Sequence, residues 1–448
     1  MKSFYIKELK PYSKDYIKTL LGNNEKLLNA LFKYDAVNFN GSTYQFNYVG
    51  VILIDNVVLN IYPKYIKNED NIENDFKQTL QVIKKYNKLN ENFEYENDEL
   101  EDISFNLLSM MIFFIEDYYE HGIYNKIQNI LEINGNGEIN WDRTINDNFA
   151  IIKNNKPYYT ELQTKYKIDD LFDYFRLLHE YIITECSKRL EEIGLLELFD
   201  LTPVELSDME LDDFGECKFI LNKLTKELNV EFNTHKQKLL KSMHSYLSKK
   251  NSLTNENYLT LYGTSTYHVI WEDICCKVFG DKLHKHLGDL KLPQKLNANY
   301  KMNKELIEII KRPKWILNNG IFHKAEGTFK PDLITFFNNN FIILDAKYYN
   351  IQFDEKQLFG QPGLESITKQ YLYELAYREF IELHGFKGVK NGFLFPTYDS
   401  QIDNKGYVEL EILSNLGLEN IQVIMLPVHE MNQMYLDNKK IEIKRLNL

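Results

Sequence analysis

Residues 330–348 read KPDLITFFNNNFIILDAKY, two apolar runs joined by three asparagines. Short apolar runs bounded by turn residues are strands, and asparagine tolerates the left-handed backbone that a tight hairpin needs. The stretch therefore predicts a hairpin, with Leu333 and Ile334 in its first strand, residues 341–344 in its second and the turn at 338–340. Asp332 precedes the first strand, and Asp345, Ala346 and Lys347 follow the second. The separation of 345 − 332 = 13 residues is about two short strands and a turn, so Asp332 is expected near Asp345 and Lys347. Strand side chains alternate with period two, which puts Asp345 and Lys347 on one face.

Two carboxylates and an amine in that arrangement suit metal-assisted hydrolysis of a phosphodiester. Carboxylate oxygens bind a hard divalent cation such as Mg²⁺ and leave positions for water and phosphate. The cation lowers the pKa of its water and stabilises charge on phosphoryl oxygens. Lys347 is then placed to orient or deprotonate the attacking water, or to neutralise the pentavalent centre. The competing reading is a hairpin with a salt bridge at a strand end. The preceding Pro-Asp and the strong apolar run favour the chemical one.

The chain has 448 residues, room for about two to four domains, and 44% apolar content supports real cores. No basic segment followed by a long apolar one opens it, so no signal peptide is expected. The longest apolar stretch, residues 107–115, is too short to span a bilayer. A cytoplasmic protein that does not enter the membrane is expected. Cys186, Cys217, Cys275 and Cys276 lack zinc-ligand spacing and read as reduced core residues. A net charge of −12 argues against a protein that coats DNA with a broad basic surface. The charge is unevenly spread. Residues 191–216 hold ten acids and no Lys or Arg, residues 67–120 hold 14 acids and 5 bases, and residues 284–330 hold 10 bases and 4 acids. The basic segment leads directly into the proposed site, as an approach for phosphate would.

Residues 44–62 read as a strand pair turning at Asp55-Asn56 and ended by Pro63. Helices are expected at 72–89 and 100–119, then a turn at 135–137 and a short strand, 138–141, ending at Arg143. A long helix is expected at 169–198, capped by Asp169 or Asp170 and interrupted near its end by Gly194. After an acidic loop, helical patterns resume at 218–228 and 233–248. The polar residues 251–257 are the best boundary. The last part predicts a helix at 266–279, the basic segment, the hairpin, a helix at 364–384 and strands at 392–396 and 423–427. The fold class expected is α+β / α/β multidomain, with a β-rich and helical N-terminal region (1–165), a helical connector (166–255) and a C-terminal domain (256–448) built on a mixed sheet flanked by helices.

Glu272 falls in the apolar arc of its helix with Val269, Cys276 and Phe279, while Asp273 and Lys277 share a polar face at i,i+4. A carboxylate turned to the core needs a partner or a metal, so Glu272 is a candidate ligand for metal or water; a backbone or lysine partner is the competing reading. Gln370 shares an aromatic arc with Tyr373 and Tyr377. It is a candidate for contacting the scissile phosphate or positioning Lys347, against the commoner role of a core amide. His323 and His429 read as surface or structural. No GxxxxGK[ST] is present, so no nucleotide is expected on this chain itself.

WED on a helix, PD before a strand, DAKYY at a strand end and KQYLYELAY on the next helix together resemble the PD-(D/E)xK nuclease superfamily. More closely, the chain resembles the McrC and LlaJI group of restriction-system nuclease subunits. YVGVILIDNVVLNIYPKY, GEINWDRTI and DDLFDYFRLLHEYII are similar to that group's upstream segments. The resemblance implies a C-terminal PD-(D/E)xK domain in which Asp332 and Asp345 bind Mg²⁺ (or Mn²⁺), with the Ala346 carbonyl as a further ligand. It makes Lys347 the catalytic lysine, Glu272 the upstream acid and Gln370 a supporting residue. It further implies double-stranded DNA as substrate and a McrB-like AAA+ GTPase ring as partner. The N-terminal part would enter the ring and stimulate hydrolysis, with Arg143 and Lys64 as candidates for reaching the partner's nucleotide site. Two nuclease subunits would pair on the duplex. The alternative is a non-cleaving assembly factor or regulator of such a motor that keeps the nuclease fold; an intact acid–acid–lysine set disfavours it.

Overall fold

The computed structural model describes residues 2–21, 25–54, 57–67, 71–94, 107–252, 259–353 and 357–448. The expected turn at Asp55-Asn56, the start of the expected 100–119 helix and most of the polar boundary at 251–257 lie outside the described residues. Backbone packing divides the chain into two units. One comprises Leu53–Asn56 and Asp102–Tyr262; the other comprises Lys2–Ile52, Val57–Glu101 and Gly263–Leu448.

The expected strand pair near the N-terminus is present. Strand β1 (Lys2–Lys7) runs parallel to β3 (Val57–Tyr62), which neighbours β2 (Val49–Ile54). Helix α1 spans Ile72–Glu94. In the smaller unit, α2 (Leu107–His121) presents Leu108, Met111, Ile112 and Ile115 to the core. Strands β4 (Ile127–Ile133) and β5 (Glu138–Ile139) flank β6 (Gln163–Asp169) on its two edges. The strand expected to end at Arg143 stops at Ile139. Asn140 accepts a hydrogen bond from the Arg143 N–H and caps a short helix, α3 (Trp141–Asp147), so Arg143 sits on a helix, not after a strand.

The long helix also begins later than its periodicity predicts. Asp169 is the last residue of β6, and Asp173 caps α4 (Tyr174–Glu192) by accepting from the Phe175 and Arg176 N–H groups. Gly194, at φ 71°, ends that run, because a left-handed backbone is open to glycine without a Cβ clash. Helices α5 (Cys217–Leu228) and α6 (Thr234–Ser252) complete the unit. Among the described residues no helix is long and apolar enough to cross a membrane.

In the larger unit, α7 (Tyr267–Phe279) precedes the hairpin of β7 (Leu333–Phe337) and β8 (Asn340–Ala346). Asn338 and Asn339 carry positive φ, 50° and 63°, as the hairpin reading requires. Helix α8 (Leu364–Leu383) leads to β9 (Gly388–Thr397). The short edge strand β10 (Asp403–Val408) follows, then β11 (Ile421–Pro427) and α9 (Val428–Leu436). The five-stranded order is β7-β8-β9-β11-β10, with β8, β9 and β11 mutually parallel and both outer strands antiparallel to their neighbours. This is the mixed sheet expected. Strand β10, which alternates exposed and half-buried residues, has no apolar run to announce it. Ile334, Phe341 and Ile343 pack with Tyr377 and Phe380 of α8 in one core cluster. Phe393, Phe395 and Val423 pack with Tyr371 of α8 in another. Full burial of each such side chain stabilises by about 1.5–3 kcal/mol, which makes this sheet a rigid base for whatever its strand ends carry.

Candidate active site

The hairpin register decides where the charges fall. Leu333 pairs with Leu344 and Phe337 with Asn340. One residue before Leu333, the Asp332 carboxylate accepts a hydrogen bond from the Ala346 N–H at 2.8 Å. Its own carbonyl accepts from the Cys276 thiol at 3.1 Å, so Asp332 is pinned from the second strand and from α7. Asp345 is buried and forms an ion pair with the Lys347 ammonium. The parallel ladder continues through this point, because the Lys347 N–H donates to the Leu394 carbonyl at 2.8 Å. That same carbonyl accepts from the Trp271 indole at 3.2 Å. Trp271 is fully buried and thereby fixes α7 against the strand that positions the lysine.

Glu272, the next residue on α7, is half-buried. Burial raises its pKa first and the Asp345 charge second, against the lowering effect of Lys347 and Lys330. On the other face Asp273 pairs with Lys277 at 2.9 Å, as the i,i+4 spacing predicts, and accepts from the Tyr435 hydroxyl at 2.6 Å. Asp332 is more strongly perturbed. Burial, then the Asp345 and Glu272 charges, push it from an ordinary value of 3.8 up to about 8. Burial alone would lower Lys347, but the Asp345 and Asp332 carboxylates outweigh it and raise its pKa. The cluster thus gathers three carboxyl groups and one lysine in a largely buried site.

Gln370 is fully buried in α8 and donates to the Ile343 carbonyl at 3.1 Å and to Asn391 Oδ1 at 2.9 Å. It therefore ties α8 to the strand that ends in Asp345. Its Oε1 has no partner among the described residues. Asn391 in turn donates to Glu374, whose carboxyl burial raises to about 7.

Several neighbours were not singled out from sequence. Tyr373 donates to the Lys330 carbonyl at 3.0 Å, and burial followed by the Asp345 and Asp332 charges raises its pKa. Tyr348 is buried directly after the lysine, and its hydroxyl donates to Glu8 Oε2. Glu8 also accepts from the Lys64 N–H at 3.0 Å, and burial raises its pKa. The Lys64 ammonium lies 4.0 Å from the centroid of the Tyr348 ring, and burial lowers its pKa. Tyr65 and Tyr267 share a hydroxyl contact of 3.2 Å beside that ring. The N-terminal strands thus buttress the strand end that carries Lys347. The doubled tyrosine after the lysine is the one local signal for this; Glu8 has none.

A cleft of ≈ 530 Å³ opens onto Asp332 and is lined also by Lys277, Lys330, Lys439 and Lys440. All ten Lys and Arg side chains of residues 284–330 are exposed, while Leu287, Leu290, Leu306 and Ile310 of that region are buried. His323 is exposed, and His429 stands 3.5 Å from Asp75. Arg143 is exposed on α3.

Known proteins place this arrangement in context. A chain from a solved assembly of Thermococcus gammatolerans McrB AAA+ hexamers with bound McrC matches over 98% of this chain and 99% of its own, at 12% identity and a TM-score of 0.40. A chain of the same organism's McrBC complex matches over 58% of this chain and 83% of its own, at 13% identity and a TM-score of 0.25. A Bacillus subtilis (strain 168) protein, the type II restriction enzyme BsuMI component YdjA, is 30% identical over 97% of this chain and 90% of its own length. The family model of the LlaJI restriction endonuclease matches residues 48–307 and 302–432. With matches of that extent, the chain belongs to the LlaJI restriction endonuclease family.

Proposed function

We propose that the chain is the Mg²⁺-dependent DNA-cleaving subunit of a nucleotide-driven restriction complex, with Asp332, Asp345, Lys347 and Glu272 as its catalytic residues. The observation that carries this is the placement of Asp332 and Asp345 at adjoining strand ends, with Asp332 held by the Ala346 N–H and Asp345 paired with Lys347, where burial first and the Asp345 and Glu272 charges second raise Asp332 to about 8. Carboxylates that share a buried site are relieved by a cation. An all-oxygen donor set of Asp332, Asp345, Glu272 and the Ala346 carbonyl fits Mg²⁺ or Mn²⁺. When bound, the cation supplies Lewis acidity and a water of lowered pKa.

The chain's own groups do the rest. Asp332 and Asp345 hold their carboxylates at fixed places on the ends of a rigid hairpin. The raised pKa of Lys347 keeps it an ammonium at neutral pH. In the metal-free chain it therefore stands as a charge and hydrogen-bond donor for the phosphoryl oxygens. Gln370 acts at one remove, by fixing the strand. The lysine-lined cleft and the exposed basic side chains of 284–330 lead duplex DNA to the site.

A McrB-like AAA+ GTPase ring as partner and the pairing of two nuclease subunits on DNA follow from the family resemblance. The exposed apolar side chains Trp141, Ile145, Phe149 and Ile152, next to Arg143, support a protein-contacting role for that region. Lys64, packed over Tyr348, would reach a partner's nucleotide only after leaving that ring, so Arg143 is the stronger candidate. Purified chain, partner and plasmid with Mg²⁺ test the reading. Lys347→Ala should lose strand cleavage while keeping partner stimulation, and Arg143→Ala should lose partner stimulation and, with it, the nucleotide-driven cleavage. Undiminished cleavage by Lys347→Ala, or GTPase activation with no DNA cut by the parent protein, would overturn it.

A further inference from the structure

The smaller unit holds a second cluster of metal-ligating groups, unrelated to the hairpin. Asp117 and His121 lie at i,i+4 on α2 and so share a face of that helix. His235 comes from the first turn of α6. Asp117 Oδ1 stands 3.1 Å from His121 Nδ1 and 2.7 Å from His235 Nε2. The two rings are 4.2 Å apart and inclined by 33°. One donor atom from each residue falls within a 4.8 Å set.

We propose that Asp117, His121 and His235 form a binding site for a borderline divalent cation, Zn²⁺, that joins α2 to α6. Three observations carry this. Both rings turn a nitrogen to the same carboxylate oxygen, and ligands around zinc at ~2.0 Å stand roughly 3.3 Å from one another, so the separations seen need only small ring movements. The Asp117 side chain is 4% exposed, yet its second oxygen, Oδ2, is buried with no partner among the described residues. Such an oxygen is costly to leave empty and is a natural ligand atom. The donor set, two imidazoles and one carboxylate, suits zinc and its neighbours and not Mg²⁺, which prefers oxygen throughout. His121 and His235 keep side-chain exposures of 48% and 35%, so ion and water have access.

His179 is not a fourth ligand. Its Nδ1 accepts the Tyr124 N–H at 3.0 Å, which leaves the proton on a buried Nε2. Water therefore completes the shell, and the chain's contribution is a cross-link between two helices whose ligands lie 118 residues apart in sequence.

Titration of the full-length chain with Co²⁺ and Zn²⁺, in an Asp332→Asn background that removes a carboxylate of the hairpin cluster, tests the proposal. One equivalent of Co²⁺ should develop visible d–d absorption, and Zn²⁺ should displace it. His121→Ala combined with His235→Ala should weaken Zn²⁺ binding by roughly 100-fold or more, since even outer partners of a metal site cost 10–100-fold. Zn²⁺ should also raise the Tm of the parent and leave that of the double variant unmoved, with circular dichroism showing both folded. A parent that gives no Co²⁺ spectrum overturns the proposal. So does a folded double variant that binds as tightly as the parent.

Discussion

The two clusters are built around the same residue type and surround it with different partners. In the larger unit Asp332 and Asp345 meet a further carboxyl group, Glu272, with Lys347 paired to Asp345. In the smaller unit one oxygen of Asp117 meets a nitrogen from each of two imidazoles. Under the two proposals the first arrangement would take a hard cation bound by oxygen alone, the second a borderline cation shared between nitrogen and oxygen. What surrounds a carboxylate, more than the carboxylate, decides which ion and which chemistry it serves.

The largest test separates the two clusters. Lys347→Ala should reduce cleavage by roughly 10²–10³-fold, the usual loss when one group stabilising developing charge is removed, and should leave Zn²⁺ binding at Asp117 unchanged. If one substitution altered both, the clusters would not be independent.

Proton linkage gives the next effect. Asp332 keeps its proton in the folded, metal-free chain up to about 8, whereas an unfolded chain releases it near 3.8. Between those values the native state binds more protons, so stability falls as pH rises. Urea unfolding of metal-free protein should show this decline across pH 4 to 8. Asp332→Asn should flatten it, and so should Mg²⁺, which favours the ionised carboxylate.

Smaller effects probe the supports of the hairpin cluster. Gln370→Ala strips donors from the Ile343 carbonyl and from Asn391, and each buried group left unpaired costs about 1–3 kcal/mol. The variant should unfold at lower urea, with cleavage falling in parallel. Tyr348→Phe removes one donor from buried Glu8 and should cost about 1 kcal/mol. If cleavage by that variant falls much further than stability, the buttress of N-terminal strands positions Lys347 and does not only pack against it.

Much of the part of the chain that carries the hairpin was legible in the sequence. The hairpin, its asparagine turn and the placement of Asp332 beside the DAK strand end follow from short-range rules: apolar runs, turn propensity and a period of two. The Asp273–Lys277 pair followed from the helix period. Other features were not legible, for identifiable reasons. The helix start at Asp173 was misplaced because β6 reads on into the same amphipathic pattern until its cap. The short strand was extended to Arg143 because capping by Asn140, which turns the chain into a helix there, is not an apolar signal. Strand β10, with its alternation of half-buried and exposed residues, offered no core run.

The residues by themselves determined the chemistry on offer at the sheet: which acids and which lysine lie a hairpin apart, and that the approach to them is basic. Tertiary structure alone decided the protonation of Asp332, the anchoring of Lys347 through Trp271, Leu394 and Glu8, and the meeting of Asp117 with His235. The physical reason is range. Backbone periodicity places side chains a few residues apart, whereas a pKa, a buried hydrogen bond or a ligand set depends on groups that only long-range packing brings within a few ångströms.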